Sequence, residues 1–258
     1  MVAHLILGFA AGVVVATVTA PVGVSGAVFM LPIQLSVLGV PNPAVTPTNL
    51  LYNVIAGPGA LFRYGRAGLV NGPLTRLLLA GTVPGVIVGA FIRVYLLPGP
   101  EAFRVVAGFV LLALGVWLIQ RTVSPRDARR SLSPGAVAGL ALGVGVVGGV
   151  YGIGGGSILS PILVGSGMTM AVVAPAALAS TFVTSIIGAL TFAVLSSFAR
   201  GSIAPDWSVG VACGLGGLVG GYVGARLQPR LPEKALRLLL GSVALGTGAL
   251  YLVQSLVS

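Results

Sequence analysis

Tyr151-Gly152-Ile153-Gly154-Gly155-Gly156-Ser157-Ile158-Leu159-Ser160-Pro161 interrupts a long apolar run. A helix ought to continue through it, yet each glycine costs about 1 kcal/mol in a helix interior relative to alanine. Four glycines between positions 152 and 156 therefore break the helix. In a bilayer such a break is tolerated only where the freed backbone groups face protein or a water-lined cavity. Two readings stand side by side. Either bare backbone meets a ligand here, or small residues let helices pack closely, as is common in membranes.

The surrounding chain settles the solvent. It has 258 residues, 56% hydrophobic and 7% charged, with a mean hydropathy of +1.08. A soluble domain carries about 25% charged residues, so this is an integral membrane protein. The net charge of +10 does not imply nucleic acid, because the basic residues are spread between apolar runs. Basic residues flanking spans are the ordinary mark of cytoplasmic loops. A single cysteine, Cys213, excludes an internal disulfide framework, and His4 is the single histidine, so no metal cluster of His and Cys can form. No cofactor is expected. The apolar start, residues 1–20, lacks the basic region of a signal peptide and is read as a mature membrane segment.

Working outward, the pattern around the glycines occurs twice. The break at Gly152 to Gly156 lies 129 positions after Gly23 to Ala27, and the same offset takes Pro32 to Pro161. Val45-Thr46-Pro47 recurs as Val173-Ala174-Pro175, Arg66-Ala67-Gly68 resembles Ala199-Arg200-Gly201, Gly85 and Gly89 map on Gly217 and Gly221, and Glu101 maps on Glu233. An ordered series with so steady an offset is an internal duplication. The expected organisation is a first transmembrane repeat over 1–120, a basic cytoplasmic linker over 121–134 and a second repeat over 135–258. Each repeat has about five hydrophobic segments, near Ala3–Ala20, Ala27–Val40, Val45–Phe62, Pro73–Ile92 and Phe103–Ile119 in the first. Arg63-Tyr64-Gly65-Arg66 and Leu97-Pro98-Gly99-Pro100-Glu101 read as connections. The fold class is therefore an all-α polytopic membrane protein of 8–10 membrane helices, some short or broken.

Charge sets the orientation. With five crossings per repeat, eleven basic residues fall on one side and three (Arg93, Arg104, Arg200) on the other. The positive-inside rule prefers this arrangement. An odd number of crossings inverts the second repeat relative to the first and places both chain ends outside.

Inverted repeats with discontinuous helices build the sites of many secondary transporters, near the midplane at the repeat interface. The paired breaks are the natural place for such a site. Gly23, Ser25 and Gly26 in the first half, and Gly154, Gly155, Gly156 and Ser157 in the second, would present backbone N–H groups and hydroxyls at helix N-termini, which attract anions. Thr48, Asn49, Tyr52, Asn53 and Thr181 add polar side chains from the third segment of each half. Asn49 and Asn53 are four apart and share a helix face, with Thr46 on the same side. For serine and threonine the competing reading is a bond back to the helix carbonyl four residues earlier. The four acidic residues, Glu101, Asp127, Asp206 and Glu233, all fall in loops or at segment ends. A proton relay through a buried carboxylate is thus not on offer, nor is a nucleophile and base pair for an enzyme. Trp117, Trp207 and Tyr251 read as interface anchors, and Cys213 as a small packing residue.

The run Gly-Ile-Gly-Gly-Gly-Ser-Ile-Leu-Ser-Pro and its degenerate copy Gly-Val-Ser-Gly-Ala-Val-Phe-Met-Leu-Pro resemble the sulfite exporter TauE/SafE family, as does the Pro-Gly and Gly-Ala pattern of the fourth segment. The resemblance implies a transporter in the plasma or inner membrane that exports sulfite, sulfoacetate or a similar sulfonate. Pro21 and Ser25 depart from the glycine pattern, so the two half-sites are not equivalent. The expected partners are a small anionic substrate and the lipid bilayer, with no nucleic acid; a homodimer is left open. A passive anion channel and an exporter of small carboxylates are the alternative functions.

Overall fold

The computed structural model describes residues 2–41, 43–96, 101–123, 132–197 and 204–257. The Pro98-Gly99-Pro100 turn, most of the central linker with Arg126, Asp127, Arg129 and Arg130, and Arg200 lie outside the described residues, as do the side chains of Glu101, Arg104 and Arg121. Every regular element among the described residues is helical. The first half holds α1 (Val2–Thr19), α2 (Ala27–Ser36), α3 (Val45–Arg66), α4 (Pro73–Tyr95) and α5 (Glu101–Val123). The second holds α6 (Pro134–Tyr151), α7 (Leu159–Gly165), α8 (Met170–Ser196), α9 (Trp207–Leu227) and α10 (Glu233–Val257). Six of these, α1, α4, α6, α8, α9 and α10, are long and apolar enough to cross a bilayer. Many large apolar side chains, among them Val14, Val88, Leu190 and Val253, point outward as a lipid-facing surface requires.

The start and stop signals are local. Pro73 and Pro134 occupy first helical turns, where proline's missing N–H costs nothing. Ser133 and Asp206 cap α6 and α9 through side-chain oxygens that accept from Ala136 N and Val209 N, at 3.2 and 3.0 Å. Both α1 and α6 run into a glycine with left-handed backbone, Gly23 at φ +69° and Gly152 at φ +68°. A side chain there would be strained, so glycine is what allows each helix to stop and turn. The helix after each break is short, 10 residues in α2 and 7 in α7.

The halves are interleaved rather than set side by side. Helix α1 packs along α9 of the other half, α6 packs along α4, and α5 packs along α10. Glycines make the first two seams. A Cβ on Gly216 or Gly220 would overlap the carbonyls of Phe9 and Val13, and one on Gly89 or Gly149 would overlap those of Val146 and Val86. Such backbone contact is the membrane mode of helix association. Helix α3 serves as a ruler through the centre. Near its C-terminal end Tyr64 donates to Ala20 O, just beyond α1, at 3.2 Å. Near its N-terminal end Thr46 O lies against Gly152, just beyond α6. The corresponding helices of the two halves therefore end toward opposite ends of α3.

Three local expectations change. Arg63-Tyr64-Gly65-Arg66 is not a loop but the last turn of α3. Its basic side chains suit the negative end of a helix. Tyr251 is not an interface anchor: it is fully buried and donates to Val28 O at 2.7 Å. Trp117 packs into the protein against Gly165, leaving no room for a Cβ at that glycine. Trp207 is 63% exposed, as an anchor should be.

Candidate functional site

The two breaks meet each other. Ser25 N donates to Ser157 Oγ at 3.2 Å, and Ser160 Oγ donates to Gly23 O at 2.6 Å. Helix α3 then ties both together. Asn53 Nδ2 donates to Gly152 O at 3.4 Å, and the Ser25 hydroxyl donates to Asn53 Oδ1. Ser25 Oγ also accepts from Ala27 N, the first N–H of α2, at 3.1 Å. Asn49 Nδ2 donates to Ala27 O at 2.9 Å. All four of Ser25, Asn49, Asn53 and Ser157 are buried.

Beside this knot lies a cavity of about 40 Å³, room for a few waters. Its polar lining comes from Ser25, Tyr52, Asn53 and Thr181, with Gly26 at the N-terminus of α2. Its apolar lining includes Ala56, Leu178 and Phe182. Tyr52 is 1% exposed, and its hydroxyl reaches the place where a Cβ on Gly26 would sit. That hydroxyl has no hydrogen-bond partner among the described residues. Among the described residues no carboxylate lines the cavity.

Five of the expected residues thus share one cavity: Ser25, Gly26, Tyr52, Asn53 and Thr181. The others stand behind it. Gly155 N donates to Thr184 Oγ1 at 3.2 Å and Gly156 N to Thr181 Oγ1 at 3.1 Å, so hydroxyls of α8 already hold the N–H groups expected to face a ligand. Gly154 packs on the Thr181 side chain, and Gly23 packs on α8 with Ala174 Cα only 2.5 Å from where a Cβ would be. Ser157 Oγ donates to Ile153 O at 3.1 Å and accepts from Ser25. Asn49 lies one turn from Asn53, outside the cavity lining. Thr48 is elsewhere: it accepts from Asp206 N at 2.8 Å and anchors the connection before α9.

Two neighbours lay outside the sequence expectation. Phe182 forms an apolar wall of the cavity, and nothing in its surroundings distinguishes it from a lipid-facing phenylalanine. Thr82 closes the second break: its hydroxyl lies 2.8 Å from Ser180 Oγ, and its methyl stands 2.6 Å from where a Cβ on Gly155 would be. The Gly81-Thr82-Val83-Pro84-Gly85 run in the fourth segment was the available signal for it.

What the geometry can do follows from this donor set. The Tyr52 and Thr181 hydroxyls and the second amide proton of Asn53, with the positive end of α2 behind Gly26, can bind a small polar anion without a metal or a counter-cation. The family comparison agrees with such a cargo. No curated protein matches the chain. The family model for the sulfite exporter TauE/SafE matches residues 7–251, so the chain belongs to that family of membrane transporters of sulfur anions.

Proposed function

We propose that this protein exports a small sulfur oxyanion across the plasma or inner membrane, and that the cavity beside the crossed breaks is its binding site. The observation that carries the reading is the cavity's lining: Ser25, Tyr52, Asn53 and Thr181 converge on it, and no carboxylate does. Tyr52 brings to the cavity a hydroxyl with a proton to donate. Gly26 adds the N-terminus of α2. At about 40 Å³ the cavity suits a compact oxyanion such as sulfite better than a sulfonate bearing a carboxymethyl arm.

The two halves act as inverted repeats, residues 1–120 and 135–258. Opposite termination of α1 and α6 along α3 supports that relation, and the charge distribution favours both chain ends lying outside. Among the described residues no carboxylate lines the cavity to carry a proton, which supports uniport driven outward by the anion's gradient and the inside-negative potential.

The test is flux in proteoliposomes, with thermal unfolding alongside. Sulfite is expected to raise the unfolding temperature more than sulfoacetate, taurine or acetate, because a ligand that binds the folded state stabilises it. Saturable sulfite flux should follow an imposed potential. A larger shift with acetate would make the cargo a carboxylate, and flux that never saturates would make the protein a channel.

A further inference from the structure

The cavity is polar at one end. Along α3 its lining runs from Tyr52 and Asn53 through Ala56 and Gly57 to Ala60, the spacing of one helix face. From Tyr52 to Ala60 that face is about 12 Å long. The hydrogen-bonding groups gather at its start. Ser25 bonds Asn53, and Asn53 and Thr181 both hold the second break. Farther along, the walls are small and apolar. Gly217 and Gly221 of α9 lie against Ala56 and Ala60, and Ala16 and Ala20 add to the lining. Thr19 also lines it, but its hydroxyl donates back to Val15 O at 2.9 Å.

Two large side chains stand over this apolar trough. Leu178 and Phe182 are four apart on α8 and share a face, and both line the cavity. Leu178 packs at the far end with Ala20, Ala60 and Tyr64. Phe182 stands nearer the polar end, on Gly57. A Cβ on Gly57 would lie 2.6 Å from Phe182 Cδ2, 3.2 Å from its Cγ and 3.3 Å from its Cβ. The root of the side chain as well as its ring therefore rests on bare backbone. That seat exists because residue 57 is glycine.

We infer that Phe182, seated on Gly57, sets the length of the anion that the cavity accepts. With the ring in place, the space beside Tyr52, Asn53 and Thr181 takes a bare oxyanion head, and an alkyl arm on the sulfur runs into the ring. With a smaller side chain at 182, the arm of an alkylsulfonate lies over Ala56, Gly57 and Ala60. Each methylene buried there tightens binding by about fourfold. The ring is thus the element that separates inorganic oxyanions from alkylsulfonates. The inference rests on the reading of the cavity as an oxyanion site.

Inhibition of radiolabelled sulfite uptake into proteoliposomes by methanesulfonate and by propanesulfonate tests it in wild type, F182A and F182V. In wild type, half inhibition should need about tenfold more propanesulfonate than methanesulfonate, the scale on which an apolar pocket rejects excess methylenes. In F182A the value for propanesulfonate should fall by about tenfold or more, because two further methylenes become buried, and that for methanesulfonate by less than about threefold. F182V should shift the same ratio in the same direction by less. Equal inhibition of wild type by the two sulfonates overturns the filter. So does a ratio that stays at the wild-type value in F182A; in either case saturable sulfite uptake leaves the cavity reading standing. Wild type without saturable uptake overturns both. If F182A does not fold, the ratio in F182V decides. Failure of both variants to fold shows that the ring is a structural wedge and overturns the proposal.

Discussion

The first break and the second occupy matched places and are built in opposite ways. The first has one serine among its glycines, and its polar groups stay partly open. Ser25, Asn53 and Tyr52 line a cavity, with the Tyr52 hydroxyl turned toward Gly26. The second has four glycines, and the N–H groups of Gly155 and Gly156 are already taken. Thr184 and Thr181 accept from Gly155 and Gly156, while Thr82 and Ser180 fill the space beside them. The glycine-rich copy is thus the closed one. Glycine at the second break serves close approach between main chains, and the open polar pocket belongs to the copy with fewer glycines.

Substitutions can break that contrast. The largest effect is expected for Gly156→Ala, whose Cβ would overlap the Ala177 carbonyl of α8. Main chain cannot swing aside as a side chain can, so a loss of about 3 kcal/mol, at the top of the usual range for overpacking, should appear in thermal unfolding. Gly26→Ala meets instead the far end of Tyr52. It should cost about 1 kcal/mol or less of stability while reducing flux by about tenfold, and adding Tyr52→Phe should restore the stability but not the flux. Equal stability losses at positions 26 and 156 would end the distinction between an open and a closed break. The smallest effect is expected for Thr48→Val, outside the cavity lining. It removes the acceptor for Asp206 N and should cost about 1 kcal/mol with the half-saturating concentration unchanged.

Much of this contrast was legible before the fold. Periodicity and composition reveal the helices, because a bilayer forces long apolar runs. The two breaks are found by their offset, and the shared face of Asn49 and Asn53 by helical spacing. Ser25, Gly26, Tyr52, Asn53 and Thr181 come together as their places in the repeat suggest. The plugging of Gly155 and Gly156 was not legible, since a threonine in a span can bond back to its own helix or across to another. Thr184 does both, donating to Ser180 O at 2.7 Å and accepting from Gly155. Tyr251 and Trp117 were misplaced for a related reason: an aromatic near a segment end looks the same facing lipid or facing Val28 and Gly165. Arg93, buried in the last turn of α4, was counted among outward loop charges because a charge count along the chain is blind to burial.

The glycine seams have a mechanical consequence. Because α1 lies along α9 and α4 along α6, rocking one half against the other would tear main chain from main chain on both sides. Bodies that moved independently would then be pairs that each borrow a helix from both halves. The single native cysteine offers a clamp to check this, since a Cβ at Gly8 would stand 2.9 Å from Cys213 Sγ, close to the spacing across a disulfide. Oxidised G8C should lock α1 to α9 and still carry the anion; loss of flux that returns on reduction would show that this seam slides during each cycle.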